Sequence, residues 1–300
     1  MGLKKLRLQD KPLFDKFLGC NRQKHELAVY AFENIYIWKK LYDIRWQVFD
    51  GCLCIFFKDR IGHFLYLPPL GREISRRAVA KAFEIMDRCN LNREISRIEN
   101  IEEPDVDLFR ALGYRCDDKS RDYVCRRIDL SGLKGDKFKS QRAACNYFVK
   151  HYKYQYLAVS PGDRVGCLRL FKLWQKQRSS GGGDKIYRGM IKDSFSCFKI
   201  LLGAYSQLDI SGRAVKLGKE IKAFSFGYKL NTDTFCILYE ITDLSIKGLA
   251  QFIFREFCSE LRSFRYINIM DDSGLENLKR VKLSYHPVKL VPAYIAKRHS

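Results

Sequence analysis

The sequence has no apolar run long enough to cross a bilayer. Its longest, Cys52-Leu53-Cys54-Ile55-Phe56-Phe57, stops far short of the roughly 20 residues a spanning helix needs. The opening Met1-Gly2-Leu3-Lys4-Lys5-Leu6-Arg7 has no apolar core of the secretory kind. A soluble, cytoplasmic protein is the expectation. No two cysteines stand in a CxxC spacing, and the five histidines form no HExxH or paired-ligand pattern, so no metal site is expected. A GxxxxGK[ST] phosphate loop is missing, as is any readable Ser-His-Asp or Cys-His constellation. Acid is scarce as well. Against 55 Lys and Arg stand 34 Asp and Glu, a net charge of +21, which favours polyanionic partners such as RNA or an anionic membrane surface.

What is present fits a globular chain of 300 residues with 46% hydrophobic and 30% charged residues, long enough for two domains. The eleven cysteines are scattered and read as reduced thiols acting as small hydrophobes. Cys52 and Cys54 share one face of a strand. In the first half, a short strand at 6–8 and helices at 12–18 and 31–41 precede strands at 45–49, 52–58 and 63–67. Asp50-Gly51 supplies the first hairpin turn. A helix carrying Ile74, Ala78, Ala82, Phe83 and Met86 follows, then a strand at 96–101, a helix at 105–112 ended by Gly113, and a β-rich pair over 114–128. The second half repeats the order. It has a strand at 154–160, helices at 164–177 and 184–202, strands at 213–217, 221–229 and 234–241, a helix at 248–262, a strand at 266–270, a helix at 274–283 and a strand at 288–294. Gly181-Gly182-Gly183 reads as a loop ending in an Asp184 helix cap.

This duplicated order is that of the acyl-CoA N-acyltransferase (GNAT-like) fold, an α/β architecture of mixed sheets. The reading divides the chain into an N-terminal domain over 1–135, a basic connecting helix over 136–152 and a C-terminal domain over 153–300, with two separate mixed sheets. Several segments add a family resemblance. Tyr266-Ile267-Asn268-Ile269-Met270-Asp271-Asp272-Ser273-Gly274-Leu275 and Leu278-Lys279-Arg280-Val281-Lys282-Leu283-Ser284-Tyr285-His286-Pro287 form the most specific of them. Phe32-Glu33-Asn34-Ile35-Tyr36-Ile37-Trp38, Ala111-Leu112-Gly113-Tyr114, Arg121-Asp122-Tyr123-Val124 and Gly135-Asp136-Lys137-Phe138 agree. Together they resemble a soluble bacterial family related to the catalytic C-terminal domain of phosphatidylglycerol lysyltransferases. The sequence departs from that family at Gln141-Arg142-Ala143, where Lys-Arg-Asn is usual, and at Ile269-Met270, where an Arg-Glu pair is usual. The resemblance implies aminoacyl transfer from aminoacyl-tRNA to a lipid, peptide or small-molecule acceptor, with an anionic lipid headgroup or membrane surface as a further partner. The rival readings are an acyl-CoA-dependent N-acyltransferase and a non-catalytic RNA- or lipid-binding protein.

The candidate site lies in the second half. The catalytic candidates are Glu240, Asp271 and Tyr285. Glu240 ends a strand where a carboxylate can act as general base, Asp271 follows the next strand, and Tyr285 is the candidate acid for the leaving group. Asn268 and Asp272 are placed to orient an ammonium group, and Lys282 to hold a phosphate or the tRNA terminus. Gly248 and Ala250, in Ser245-Ile246-Lys247-Gly248-Leu249-Ala250, match the two small positions of a CoA-binding helix start. Ser245 stands where a basic or amide residue is usual, and Pro68-Pro69 break the corresponding turn of the first half. No cofactor is therefore required, and acetyl-CoA is disfavoured. Several residues have a plainer reading: close packing for Gly248 and Ala250, helix capping for Asp272 and Asp243, core packing for Tyr285 and surface solvation for Lys282. The basic residues cluster at 110–142, at 164–192 and after Glu276, where six Lys and Arg meet no acid.

Overall fold

The computed structural model describes residues 2–20, 25–179 and 185–299. The glycine loop at 181–183 and Asp184 lie outside them. The strands are β1 (Lys4–Lys5), β2 (Asp43–Phe49), β3 (Cys52–Lys58), β4 (His63–Leu65), β5 (Arg97–Glu102), β6 (Tyr114–Arg126), β7 (Gln155–Ala158), β8 (Ile210–Leu217), β9 (Glu220–Lys229), β10 (Thr234–Thr242), β11 (Tyr266–Asn268) and β12 (Lys289–Arg298). The helices are α1 (Lys11–Gly19), α2 (Phe32–Ile37), α3 (Arg76–Cys89), α4 (Val106–Ala111), α5 (Arg127–Gly132), α6 (Lys139–His151), α7 (Arg164–Ser179), α8 (Lys185–Ala204), α9 (Leu249–Glu260) and α10 (Glu276–Leu283).

Three expectations are corrected. The first strand is β1, at Lys4–Lys5, and residues 8–10 form a 3-10 turn. More important, the strands form one continuous sheet in the order β1-β2-β3-β4-β5-β12-β6-β11-β10-β9-β8-β7. That order is a palindrome of the two halves, with their last strands exchanged. β12 lies beside β5, and β6 lies beside β11. The expected pair over 114–128 is a single strand of 13 residues followed by α5, and ten of its residues pair with β12. A strand that long satisfies backbone groups on both sides of the seam, so the halves cannot close as separate sheets.

Alternation sorts the core. In β3, Leu53, Ile55 and Phe57 face the largest apolar cluster, while Cys52, Cys54 and Phe56 pack under α3. The larger cluster gathers side chains of α1, α2, α7 and α8 against both halves of the sheet. The parallel pairs β4/β5 and β10/β11 are short: one aligned pair in the first and three in the second. Beyond Cys236 and Asn268, β10 runs on to Thr242 while β11 has ended, which opens the sheet beside the seam.

Candidate functional site

At the seam, the segment 25–31 crosses the sheet without regular structure of its own. Its polar backbone is satisfied by buried side chains from both halves. Glu102 accepts from Glu26 N (2.7 Å) and Leu27 N (3.1 Å). Asp122 Oδ2 accepts from Ala28 N (2.7 Å), and Tyr228 donates to the Ala28 carbonyl (2.5 Å). Asn268 donates to both the Glu26 carbonyl and Asp122 Oδ2 at 2.9 Å.

Beside this segment lies a cavity of about 320 Å³ with an aromatic wall of Trp38, Tyr42, Phe57, Phe64 and Tyr66. Its charged lining includes Asp59, Arg97, Glu99, Lys119, Asp122 and Asp271. Burial opposes ionisation of Glu99, yet Lys119 at 2.7 Å and Arg97 at 2.6 Å hold its carboxyl below the usual range. Glu99 is thus neutralised. Asp122 differs. It is 7% exposed, and desolvation pushes it up to about 6, against the bonds from Ala28 and Asn268. Both bonds use Oδ2, so Oδ1 remains for the cavity. A carboxyl titrating near neutrality, rigidly held and facing an aromatic pocket, is a functional candidate on physical grounds. In the sequence Asp122 stands only in the resembling segment Arg121-Asp122-Tyr123-Val124, with no role of its own. The signal was an acid next to the apolar Tyr123-Val124-Cys125 of a strand.

The second-half candidates occupy different places. Asp271 lines the cavity. It follows Met270, whose φ of 62° is left-handed for a non-glycine residue and costs about 1 kcal/mol. Three bonds over-determine that turn: Met270 N donates to Asn268 Oδ1 (2.7 Å), and Lys282 Nζ donates to the carbonyls of Ile269 and of Met270, the latter at 3.2 Å. Asn268 is fully buried with its amide committed to these bonds, so it positions its neighbours and has no group left for a substrate. Asp272 accepts from Tyr123 Oη (2.5 Å) and Gly274 N (2.9 Å) and holds the turn before α10.

The role expected of Lys282 is corrected. Its ammonium points inward to two main-chain carbonyls and is not presented to a phosphate. Desolvation lowers its pKa, opposed by Asp271 and Asp122. We expect Lys282→Met to destabilise the fold by about 2–3 kcal/mol, since it leaves buried acceptors and carboxylates uncompensated. It should also move the titration of Asp122 above 6, because Lys282 favours its ionised form. Urea denaturation and NMR titration of the carboxyl check the two effects.

Glu240 and Tyr285 lie within electrostatic range of each other, on the α9 side of the sheet. Desolvation raises Glu240 to about 8, opposed only by Lys282. Burial thus favours its protonated form near neutral pH, which disfavours the general-base role and suits an acid. Burial and then Glu240 raise the Tyr285 phenol, whose ring lies 4.7 Å from Phe254. Lys282, which interacts with Glu240 as well as with Asp271 and Asp122, links this pair to the cavity.

Gly248 caps the amino end of α9 with a φ of 82°, and a Cβ there would stand 2.0 Å from the Ala144 carbonyl oxygen. Close packing of α6 on α9 accounts for this glycine, and α6 covers the helix end where a diphosphate was the alternative. Ala250 lies half-buried on the first turn. Ser245 donates to Asp243 (2.7 Å), which also accepts from Gln177 (2.9 Å) and holds the turn leading to Gly248. Among the described residues, no three His, Cys, Asp or Glu side chains are grouped to hold a metal, and no helix is long and apolar enough to cross a membrane.

Comparison with known proteins agrees with this architecture. A conserved protein of unknown function from Bacteroides thetaiotaomicron is 26% identical, with full coverage of both chains and a TM-score of 0.87. The L-PGS structure from Bacillus licheniformis is 16% identical over 100% of this chain and 94% of that one, with a TM-score of 0.70. The C-terminal domain of a proposed lysylphosphatidylglycerol synthetase from Agrobacterium fabrum is 12% identical over 97% and 93%, with a TM-score of 0.67. No curated protein matches the sequence significantly. The fold is the tandem GNAT-like one. Residues 22–297 match the family described as phosphatidylglycerol lysyltransferase, C-terminal, and with nearly the whole chain matched, the protein belongs to that family.

Proposed function

We propose that this chain transfers an aminoacyl group from aminoacyl-tRNA to a hydroxyl or amine acceptor, without a cofactor. The observation that carries the reading is Asp122, a buried carboxyl with one oxygen free toward an aromatic-walled cavity at the seam. Ionised, it binds the α-ammonium of the aminoacyl group, and the aromatic wall packs the side chain. The acceptor attacks the ester carbonyl directly, since no activated nucleophile is at hand. The new bond forms at that carbon as its bond to the ribose oxygen breaks. Asp271 takes the proton lost by the acceptor. The same carboxyl, protonated by that step, returns the proton to the ribose oxygen, while Glu240 and Tyr285, on the α9 side of the sheet, take no part in the step. The basic residues of α7, α8 and α10 supply phosphate contacts for the tRNA.

The family and the charge support tRNA over acyl-CoA as donor, as does the covered amino end of α9. The test is a filter assay with tRNA charged with a mixture of labelled amino acids. Label should leave the tRNA faster with wild-type protein than with buffer, and binding should weaken steeply with salt. Acetyl-CoA binding with no tRNA binding would favour the acyl-CoA reading instead.

A further inference from the structure

On the other side of the segment 25–31 is a second, larger cavity of about 940 Å³, which no step above uses. At its wall His25 donates or accepts through Nδ1 at 2.7 Å from Glu102 Oε2, and its ring stacks on Tyr30 at 4.0 Å. His25 is 8% exposed and Glu102 6%. Glu102 is itself fixed by the two backbone amides of the crossing segment. A carboxylate so held keeps the imidazole proton on Nδ1 and leaves Nε2 with its lone pair. Among the described residues, Nε2 has no hydrogen-bond partner, and the ring lines the cavity. The site therefore offers a buried, oriented acceptor.

The charge of the lining decides what it accepts. Besides Glu102, the cavity carries Glu26, Glu73, Asp105 and Asp233, against the guanidinium groups of Arg72 and Arg76. Glu26 is paired with Lys289, while Glu73 and Asp233 are exposed at the rim. Pro68, Pro69 and Tyr266 add apolar wall. An excess of carboxylate around a lone-pair acceptor suits a cation that donates hydrogen bonds. We propose that this cavity binds a small primary amine, its ammonium on His25 Nε2 and its alkyl stem along the prolines and tyrosines. Binding of such a ligand requires nothing of the transfer reaction, so the failure of either idea leaves the other standing.

Butylamine is the probe, with butyrate and inorganic phosphate as anionic counterparts, since Arg76 opens α3 and helix amino ends attract anions. With ¹⁵N-labelled histidine, saturating butylamine should shift the His25 ring resonances, identified by their loss in His25→Gln. That variant should bind about tenfold more weakly, the worth of one hydrogen bond to a charged group. The double variant Glu73→Gln with Asp233→Asn, exposed and safe for folding, should also bind more weakly. Saturable binding of butyrate or phosphate in place of butylamine would overturn the proposal. Unchanged butylamine affinity in the rim variant would do so as well.

Discussion

Asp122→Asn should lower aminoacyl transfer about 10²-fold or more, the scale of a lost catalytic acid or base, while the protein stays folded. The amide oxygen of Asn still accepts from Ala28 N, so the crossing segment remains fixed. What disappears is the charge offered through Oδ1. The pH dependence separates this account from a structural one. Wild-type activity should rise through about pH 6 as Asp122 ionises, and that limb should vanish in the variant. Stability should move the other way. The folded pKa lies above the ordinary 3.8, so between those values the folded state holds more protons than the unfolded one. Stability then falls as pH rises through this window, by about 3 kcal/mol at most. Asp122→Asn should remove that fall and be no less stable than wild type at pH 7. Loss of activity together with unchanged or higher stability marks a residue kept for function. Guanidinium melts at pH 4 and 7 beside single-turnover kinetics give both readings.

Gly248→Ala should have the largest effect on stability, about 3 kcal/mol or more. Two separate costs add. A left-handed φ of 82° burdens any residue with a Cβ by about 1–2 kcal/mol. The new methyl would also stand 2.0 Å from the Ala144 carbonyl oxygen, which only a shift of the α6 backbone relieves, and overpacking of this kind costs about 1–3 kcal/mol. Gly274→Ala is the control: its φ is 70° but its Cβ meets nothing within 4 Å, so it should lose only the conformational part. If both variants lose equal stability, close packing does not explain Gly248.

The contrast between these two residues also shows what the sequence can carry. The element order was readable because each element signals locally: Asp50-Gly51 for the β2–β3 turn, the spacing of Ala78, Ala82, Phe83 and Met86 for α3, Gly113 for the end of α4. The exchange of β6 and β12 was not. It depends on pairs such as Lys289 with Val124, far apart in sequence, and the polar Lys119-Ser120-Arg121 in mid-strand looks like a turn. With the seam hidden, the cavity was hidden too, because its walls come from β3, β5, β6 and the turn after β11. Asp271 is legible as a cavity residue because it follows a recognisable strand in a resembling segment. Lys282 reads in the sequence as a phosphate or tRNA contact because an alternating basic helix conceals which lysine turns inward. Gly248 matched a motif, and only its contact with Ala144 shows the packing that requires it.

The central claim is that an aminoacyl ammonium binds against Asp122. The most direct measurement is the ¹³C titration of the Asp122 carboxyl, with and without a hydrolysis-resistant 3′-aminoacylamido-adenosine. A bound cation favours the ionised form, so the account predicts that the pKa of about 6 falls by at least one unit when the analogue saturates. An unchanged Asp122 titration at saturation would contradict it.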